Sequence, residues 1–418
     1  RFDVVGRITL AGIGLSEPIS RVMTTPVASL AVEATAADAA ILMTRMGIRH
    51  VPVTLEGRLV GVVTERDLFA RQQMSINHLH SAIRAARTAE DFRAAAADVR
   101  QLAAGLLALG VQAQPLTDLI SHLNDVLTRQ LVAVKAQAHA RDMDQACWLA
   151  FGSEGRSEQT VATDQDNGLA FVSEEPSRDR EGWLNFAQDV NQSLADCGFA
   201  LCKGHIMAGN PACCLSVQEW IHRLDNLIEQ GSPQDLLAAS IFFDLRPIAG
   251  RLSLAGPLRE TITRRAQDNP RFCRQLAQEV LRVPAALGLL GGIHTHTVDG
   301  VPMLDIKLHG TAVFVGVARL RSLALGIGEV NTRRRLEAVA RLKGVPAQHA
   351  QAWIAGFEFL QMLRLRSQFN PQDHHTPSAG PNHIRVDALH ELDHRMLKES
   401  LRAARELQWE VELDYCGG

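Results

Sequence analysis

The run "ACWLAFGSEGRSEQTVATDQDNGLAFV", residues 146–172, limits the fold more than any other part of the chain. Two apolar, β-like runs, "ACWLAFG" and "DNGLAFV", bracket a turn that opens with Gly152 and Ser153 and closes with Asp164 and Asp166. Side chains two apart on a strand share a face, so a strand–turn–strand unit is predicted with both aspartates on one side. Two carboxylates so placed repel each other unless a cation lies between them. Glycine lets a phosphate come close to the backbone, and free amides with a hydroxyl hold its oxygens. Asp-x-Asp by itself is common in solvated turns. Beside a Gly-Ser turn it fits a metal-bound nucleoside triphosphate, since Mg²⁺ takes oxygen ligands shared between protein and phosphate.

The chain has 418 residues, which predicts two to four domains. A net charge of −3 leaves no dominant basic surface, so nucleic acid is not expected as a partner. No apolar run is long enough to span a bilayer. The first residues lack a signal-peptide pattern, and the start at Arg1 leads us to expect a chain trimmed at its N-terminus. Seven cysteines without a CxxC pair read as reduced thiols in a cytoplasm.

Residues 18–70 predict a short extended run, a helix and a hairpin. Thr35 is placed to cap the helix, with Ile41, Leu42 and Met46 on one stripe, and the hairpin turns near Gly57. The text "MTTPVASLAVEATAADAAILMTRMGIRHVPVTLEGRLVGVVTERDL" resembles a CBS motif, half of an adenosine-ligand-binding module. Its end, "GVVTERDL", fits the family's Gly-x-x-Thr-x-x-Asp pattern, which implies that Thr64 and Asp67 touch a ribose or phosphate. CBS motifs pair, and "GRITLAGI" at residues 6–13 aligns as the tail of a second one, with Thr9 matching Thr64 but Gly12 where the Asp should be. The resemblance implies an adenosine nucleotide at this module, or a structural role in forming a homodimer.

Residues 76–145 have helical spacing broken between Gly110 and Pro115, which predicts two or three long helices. Beyond the strand–turn–strand unit come a helix ending at Gly198, an extended segment at 199–207 and a helix stopped by Gly231. From Pro233 a helix-like stretch passes toward an extended segment, and residues from 257 onward are almost wholly helical.

Gly-Ser followed ten residues later by Asp-x-Asp is the signature of the DNA-polymerase-β-like nucleotidyltransferases. "GSEGRSEQTVATDQDN" resembles the nucleotidyltransferase domains that follow CBS pairs in bacterial signal-transduction proteins, which are similar to PII-protein uridylyltransferases. "GFALCKGHIMAGNP", "IFFDLRPIAG", "LDIKLHG" and "NTRRRLEA" extend the match along the chain. The implied fold is α+β and multidomain: a truncated CBS module at 1–75, a helical linker at 76–140, a polymerase-β-like nucleotidyltransferase α/β domain at 141–260 and a helical substrate-binding bundle at 261–418.

The resemblance implies a two-ion Mg²⁺ site held by Asp164, Asp166 and a third acid, with Asp244 of "FFDLRP" the candidate; a structural pair with Arg246 is its alternative. Gly152 and Ser153 would position the phosphates of the NTP. Arg156 would steady the leaving pyrophosphate, or else pair with Glu154 or Glu158. The segment 199–207 holds no acid, and Lys203 and His205 within it read equally as packing residues. Asp305, Lys307, Asn331, Thr332 and Arg335 lie in family blocks and read as acceptor-side residues or as caps. The implied reaction moves a nucleoside monophosphate to a hydroxyl of a protein or small molecule. The competing expectation is a nucleotide sensor without catalysis.

"HELDH" at 390–394 spells HExxH, which on a helix can bind zinc through His390 and His394 with Glu391 as base. With Leu389, Leu392, Met396 and Leu397 as the buried stripe, both histidines fall beside it and no third ligand follows, so a protease is not expected.

Overall fold

Two units divide the chain, Arg1–Asn77 and His78–Gly418. The computed structural model describes residues 17–21, 23, 25–46, 48, 50–232, 240–288, 291–369 and 380–417. The N-terminal stretch carrying Thr9 and Gly12 lies outside them.

In the first unit β1 (Leu30–Ala31) runs parallel to β2 (His50–Leu55), which pairs antiparallel with β3 (Arg58–Thr64). Glu56 and Gly57 connect the hairpin with φ of 50° and 79°, the left-handed pair that a two-residue hairpin turn needs. Helix α1 (Ala36–Met46) starts at Thr35. The Asp38 carboxylate accepts from the Thr35 amide and hydroxyl, and the Thr35 hydroxyl accepts from the Asp38 amide. The buried positions described on α1 are Ala39 and Met43; Met46, expected on that stripe, is 58% exposed. On β3, Leu59, Val60 and Val62 are exposed.

Helix α2 (Glu65–Ala85) leads into α3 (Ala89–Ala108) and α4 (Ala113–Ala138). Gly110, at φ 80°, makes the break between the last two. A four-stranded sheet follows, built from β4 (Ala146–Ala150), β5 (Asn167–Phe171), β6 (Cys214–Ser216) and β7 (Arg246–Gly250) in the order β6-β5-β4-β7. β4 is antiparallel to both neighbours, and β5 is parallel to β6.

Every residue of β4 and β5 is buried, because layers cover both faces of the sheet. Ala146, Trp148 and Ala150 pack into a core with α3, α4 and α6 (Pro176–Asp196). Cys147, Leu149 and Phe151 point the other way, into a core shared with α7 (Val217–Gln230) and the C-terminal helices. The strand period of two thus sorts one segment between two cores. The sequence reading missed the short β6, which immediately precedes α7. Ser216 both ends that strand and caps the helix in a reciprocal box with Glu219.

The C-terminal part comprises α8 (Ala255–Gln267), α9 (Pro270–Arg282), a small antiparallel sheet of β8 (His296–Val298), β9 (Val301–Asp305) and β10 (His383–Arg385), and the helices α10 (Ala312–Ala324), α11 (Thr332–Lys343), α12 (Ala347–Phe369) and α13 (Glu391–Val411). His390 is the N-cap of α13, its ring accepting from the Leu392 amide, so it does not share a helix face with His394. The buried stripe of α13 runs through Leu397, Leu401, Ala404 and Leu407, while Leu392 and Met396, expected on it, are exposed.

Candidate active site

Strand β4 ends at Ala150 and the backbone turns sharply into the short helix α5 (Gly152–Gly155). The Phe151 amide still donates to the Asp166 carbonyl at 2.8 Å, so the Gly-Ser turn and the second aspartate are held by one hydrogen bond. Gly152 has φ 52°, and a Cβ there would lie 2.7 Å from Asp166 Oδ2. A Cβ on Gly155 would lie 1.9 Å from the Asp244 carbonyl. Glycine is therefore needed twice in four residues, once against the carboxylate and once against the segment carrying Asp244.

The two aspartates stand just before β5 rather than within it. Asp164 makes an isolated parallel bridge to Ala200, and the Gln165 amide donates to the Ala200 carbonyl at 2.8 Å. Alternation still holds: Gln165 turns away and its amide donates to the Asn191 and Phe199 carbonyls, while Asp164 and Asp166 both line a cavity of about 430 Å³. The parallel register sets the Cys202 thiol beside the Asp166 carboxylate. Ligand atoms of Asp164, Asp166 and Cys202 lie within 4.8 Å of one another, the one such group among the described residues. Burial, and then the Asp164 charge, push the Asp166 carboxyl up to about 7.

Asp244 does not join them. Its carboxylate is fully buried, and three guanidiniums occupy both of its oxygens. Arg319 donates from Nε at 3.0 Å and Nη2 at 2.5 Å, Arg335 from Nη1 at 2.6 Å and Arg156 from Nη1 at 2.5 Å. Burial would raise its pKa, but Arg319, Arg335 and Arg156 hold it far below the carboxylate range. The expectation of Asp244 as third metal ligand gives way to this geometry, because every lone pair that a cation would use already accepts from an arginine. The alternative pair with Arg246 is not formed either. Arg246 instead grips Asp125 with both Nη atoms and donates to the Glu154 and Gly155 carbonyls, bracing the Gly-Ser turn from behind.

Arg156 lines the cavity with Ser153 and Arg319. Its Nε donates to Glu158 at 2.8 Å. Glu158 also accepts from the Thr332 amide and hydroxyl, and Asn331 donates to the Arg156 carbonyl. Three guanidiniums thus meet two carboxylates, Asp244 and Glu158, and the cluster keeps one positive charge. Asn331 and Thr332 start α11 and tie down the turn, and Asp305 caps Leu308 at 2.9 Å; of the family-block residues weighed for the acceptor side, Lys307 lines the cavity. Lys203 and His205 do not line it, whereas their neighbour Cys202 does.

Family models match three stretches of the chain. "CBS domain" matches residues 19–73, "Putative nucleotidyltransferase DUF294" residues 97–234 and "Putative nucleotidyltransferase substrate binding domain" residues 270–415. The chain belongs to the DUF294 family, with a CBS domain ahead of the family's two regions. No curated protein matches it. The cavity is lined from both of the larger matched regions: Gly152, Asp164 and Asp166 from one, Thr311, Arg319 and Arg364 from the other.

In the CBS domain, Thr64 and Asp67 form a capping box at the start of α2. The Asp67 carboxylate accepts from the Thr64 amide at 2.9 Å and from its hydroxyl at 2.6 Å.

Cys202, Arg319 and Arg364 are among the cavity residues that the sequence reading does not name. Cys202 lies in a segment without an acid, where a lone thiol carries no metal-site spacing. Arg319 and Arg364 sit in helical text where arginine ordinarily reads as a solvated face. The available signal was local: each lies among apolar residues, in "VFVGVARLRSLAL" and "FLQMLRLRS".

Proposed function

We propose that the chain transfers a nucleoside monophosphate from an NTP to a hydroxyl of a protein or small molecule, as the PII-protein uridylyltransferases that its sequence resembles do. One observation carries this reading. A single cavity joins an uncompensated pair of carboxylates to an arginine cluster with a surplus positive charge. A divalent cation on a polyphosphate is complementary to that arrangement.

The residues fit Mg²⁺ through oxygen. Asp164 and Asp166 would hold it, and the raised proton affinity of Asp166 is the electrostatic deficit that a cation relieves. When bound, the ion supplies Lewis-acid stabilisation at the phosphate under attack. Gly152 lets the turn close on Asp166 and, with the Ser153 hydroxyl, would position the phosphates. Arg156 and Arg319, held rigid by Asp244, face the charge that accumulates on the departing pyrophosphate. Asp244 is then a positioning residue.

A nucleotide sensor without catalysis is favoured by one observation, that the third position of the acidic group is a cysteine. Incubating the chain with Mg²⁺, each α-labelled NTP and a lysate separates the two readings. Transfer predicts a labelled acceptor that Asp164→Asn abolishes; sensing predicts binding without label. The CBS domain supports regulation by an adenosine ligand, and the exposed Leu59, Val60 and Val62 of β3 support its pairing in a homodimer. The unpaired cysteines support a reducing, cytoplasmic setting.

A further inference from the structure

Arg364 projects from α12 into the same cavity and is 8% exposed. Buried guanidiniums are ordinarily paired, because an unpaired buried charge is costly. Its neighbours Arg156 and Arg319 both meet that rule through Asp244. Arg364 makes no ion pair with any described residue. Its hydrogen bonds go to neutral oxygens, Gln361 Oε1 at 2.7 Å and Asn382 Oδ1 at 3.2 Å. Those bonds use Nε and Nη1 and fix the plane of the group, while Nη2 donates to no described residue. Burial, and then the charge of Arg156, push its pKa down to about 10, against the opposing pull of the Asp305, Glu158 and Asp164 carboxylates, none of which forms an ion pair with it.

We propose that Arg364 is a phosphate ligand, contributed by the helical domain, whose Nη2 edge binds the triphosphate of the donor nucleotide. This rests on the reading of the cavity as an NTP site and extends it: the domain matched as substrate-binding also grips the donor. The observations that carry it are the lack of a counter-ion among the described residues, the two neutral hydrogen bonds that orient the guanidinium, and a cavity shared with the Asp164–Asp166 pair.

The test is calorimetric titration of the whole chain in Mg²⁺ with α,β-methylene analogues of the four common NTPs and with the matching nucleoside monophosphates, for wild type, Arg364→Gln and Arg364→Lys. Charge-assisted hydrogen bonds predict a loss of about 10- to 100-fold in triphosphate affinity for Arg364→Gln, a smaller loss for Arg364→Lys, and monophosphate affinity within about twofold of wild type. The ligand-free melting temperature of Arg364→Gln should not fall, since the variant sheds an uncompensated charge; a purely structural arginine would lower it. If wild type binds the triphosphate analogue and Arg364→Gln binds it equally well, the assignment is wrong while the NTP reading stands. If Arg364→Gln keeps donor affinity and loses only labelling of the acceptor, the anion that Arg364 binds belongs to the acceptor and the assignment is overturned. If wild type binds no NTP analogue, the reading of the cavity falls first and takes the assignment with it.

Discussion

Replacing Asp244 by asparagine distinguishes a charge clamp from a metal ligand. The substitution keeps the shape and removes the negative charge that Arg156, Arg319 and Arg335 share. Arg335 is itself 1% exposed and its remaining bonds go to the Phe243 and Glu329 carbonyls, so it has no other carboxylate to turn to. Breaking buried pairs by removing one partner costs about 3–5 kcal/mol. Unfolding entropy near 2.1 cal/mol/K per residue gives roughly 0.7 kcal/mol/K for a unit of this length, so the cost corresponds to a fall of about 4–7 °C in its melting temperature. Differential scanning calorimetry without divalent ions measures this. The penalty should be equal at pH 5 and pH 8. Asp244 titrates far below its unfolded value in the folded state, so its contribution is complete above the unfolded pKa and disappears only in strong acid. A melting temperature within a degree of wild type, or above it, would refute the clamp. Relief of crowding among acids, as at a metal site, gives that opposite sign.

Three further outcomes follow from the same geometry. Gly152→Ala puts a Cβ 2.7 Å from Asp166 Oδ2 at a φ of 52°, and should cost roughly 1–3 kcal/mol of stability together with divalent-ion affinity; normal Mn²⁺ affinity in a folded variant would count against the close approach. The Glu154 carboxyl is pushed up to about 8 by burial and then by Asp125, so the folded state binds the extra proton and stability should decline as pH rises from about 5 to about 8; in metal-free protein Asp166 adds to the same slope. Glu154→Gln should flatten that slope in denaturant titrations, and an unchanged slope would exclude Glu154 as its source. Cys202→Ser should leave Mg²⁺ affinity near wild type and lower Cd²⁺ affinity about tenfold or more, with loss of the cadmium–thiolate absorbance; unchanged Cd²⁺ binding would remove the cysteine from the ligand group.

The strand–turn–strand unit was legible because "ACWLAF" and "GLAF" are short, continuously apolar runs bounded by turn residues, as strands covered on both faces read, and chemistry and fold coincide within that one segment. The hairpin at Gly57, the cap at Thr35 and the helix ends at Gly198 and Gly231 were legible for the same reason: each is set by residues adjacent in sequence. The clamp on Asp244 was not. It joins Arg156, Arg319 and Arg335, which are 88, 75 and 91 positions away, and nothing local in "FFDLRP" says whether a buried acid will meet a cation or three arginines. Cys202 depended on register, since the Asp164–Ala200 bridge alone brings it beside Asp166. Of the stripe expected on α13, Leu397 is buried and Leu389 packs on the core, while Leu392 and Met396 are exposed, because the face that is buried depends on what packs against the helix from elsewhere in the chain.

The central claim is that Asp164 and Asp166 hold a divalent cation against a polyphosphate in the cavity that Arg156 and Arg319 share. Titrating Mn²⁺ into the whole chain by electron paramagnetic resonance, with and without a non-hydrolysable NTP, tests it directly. The account predicts one or two bound ions, tightened by the nucleotide, and loss of that binding in Asp166→Asn but not in Asp244→Asn. Binding that survives Asp166→Asn, or that the nucleotide leaves unchanged, would contradict it.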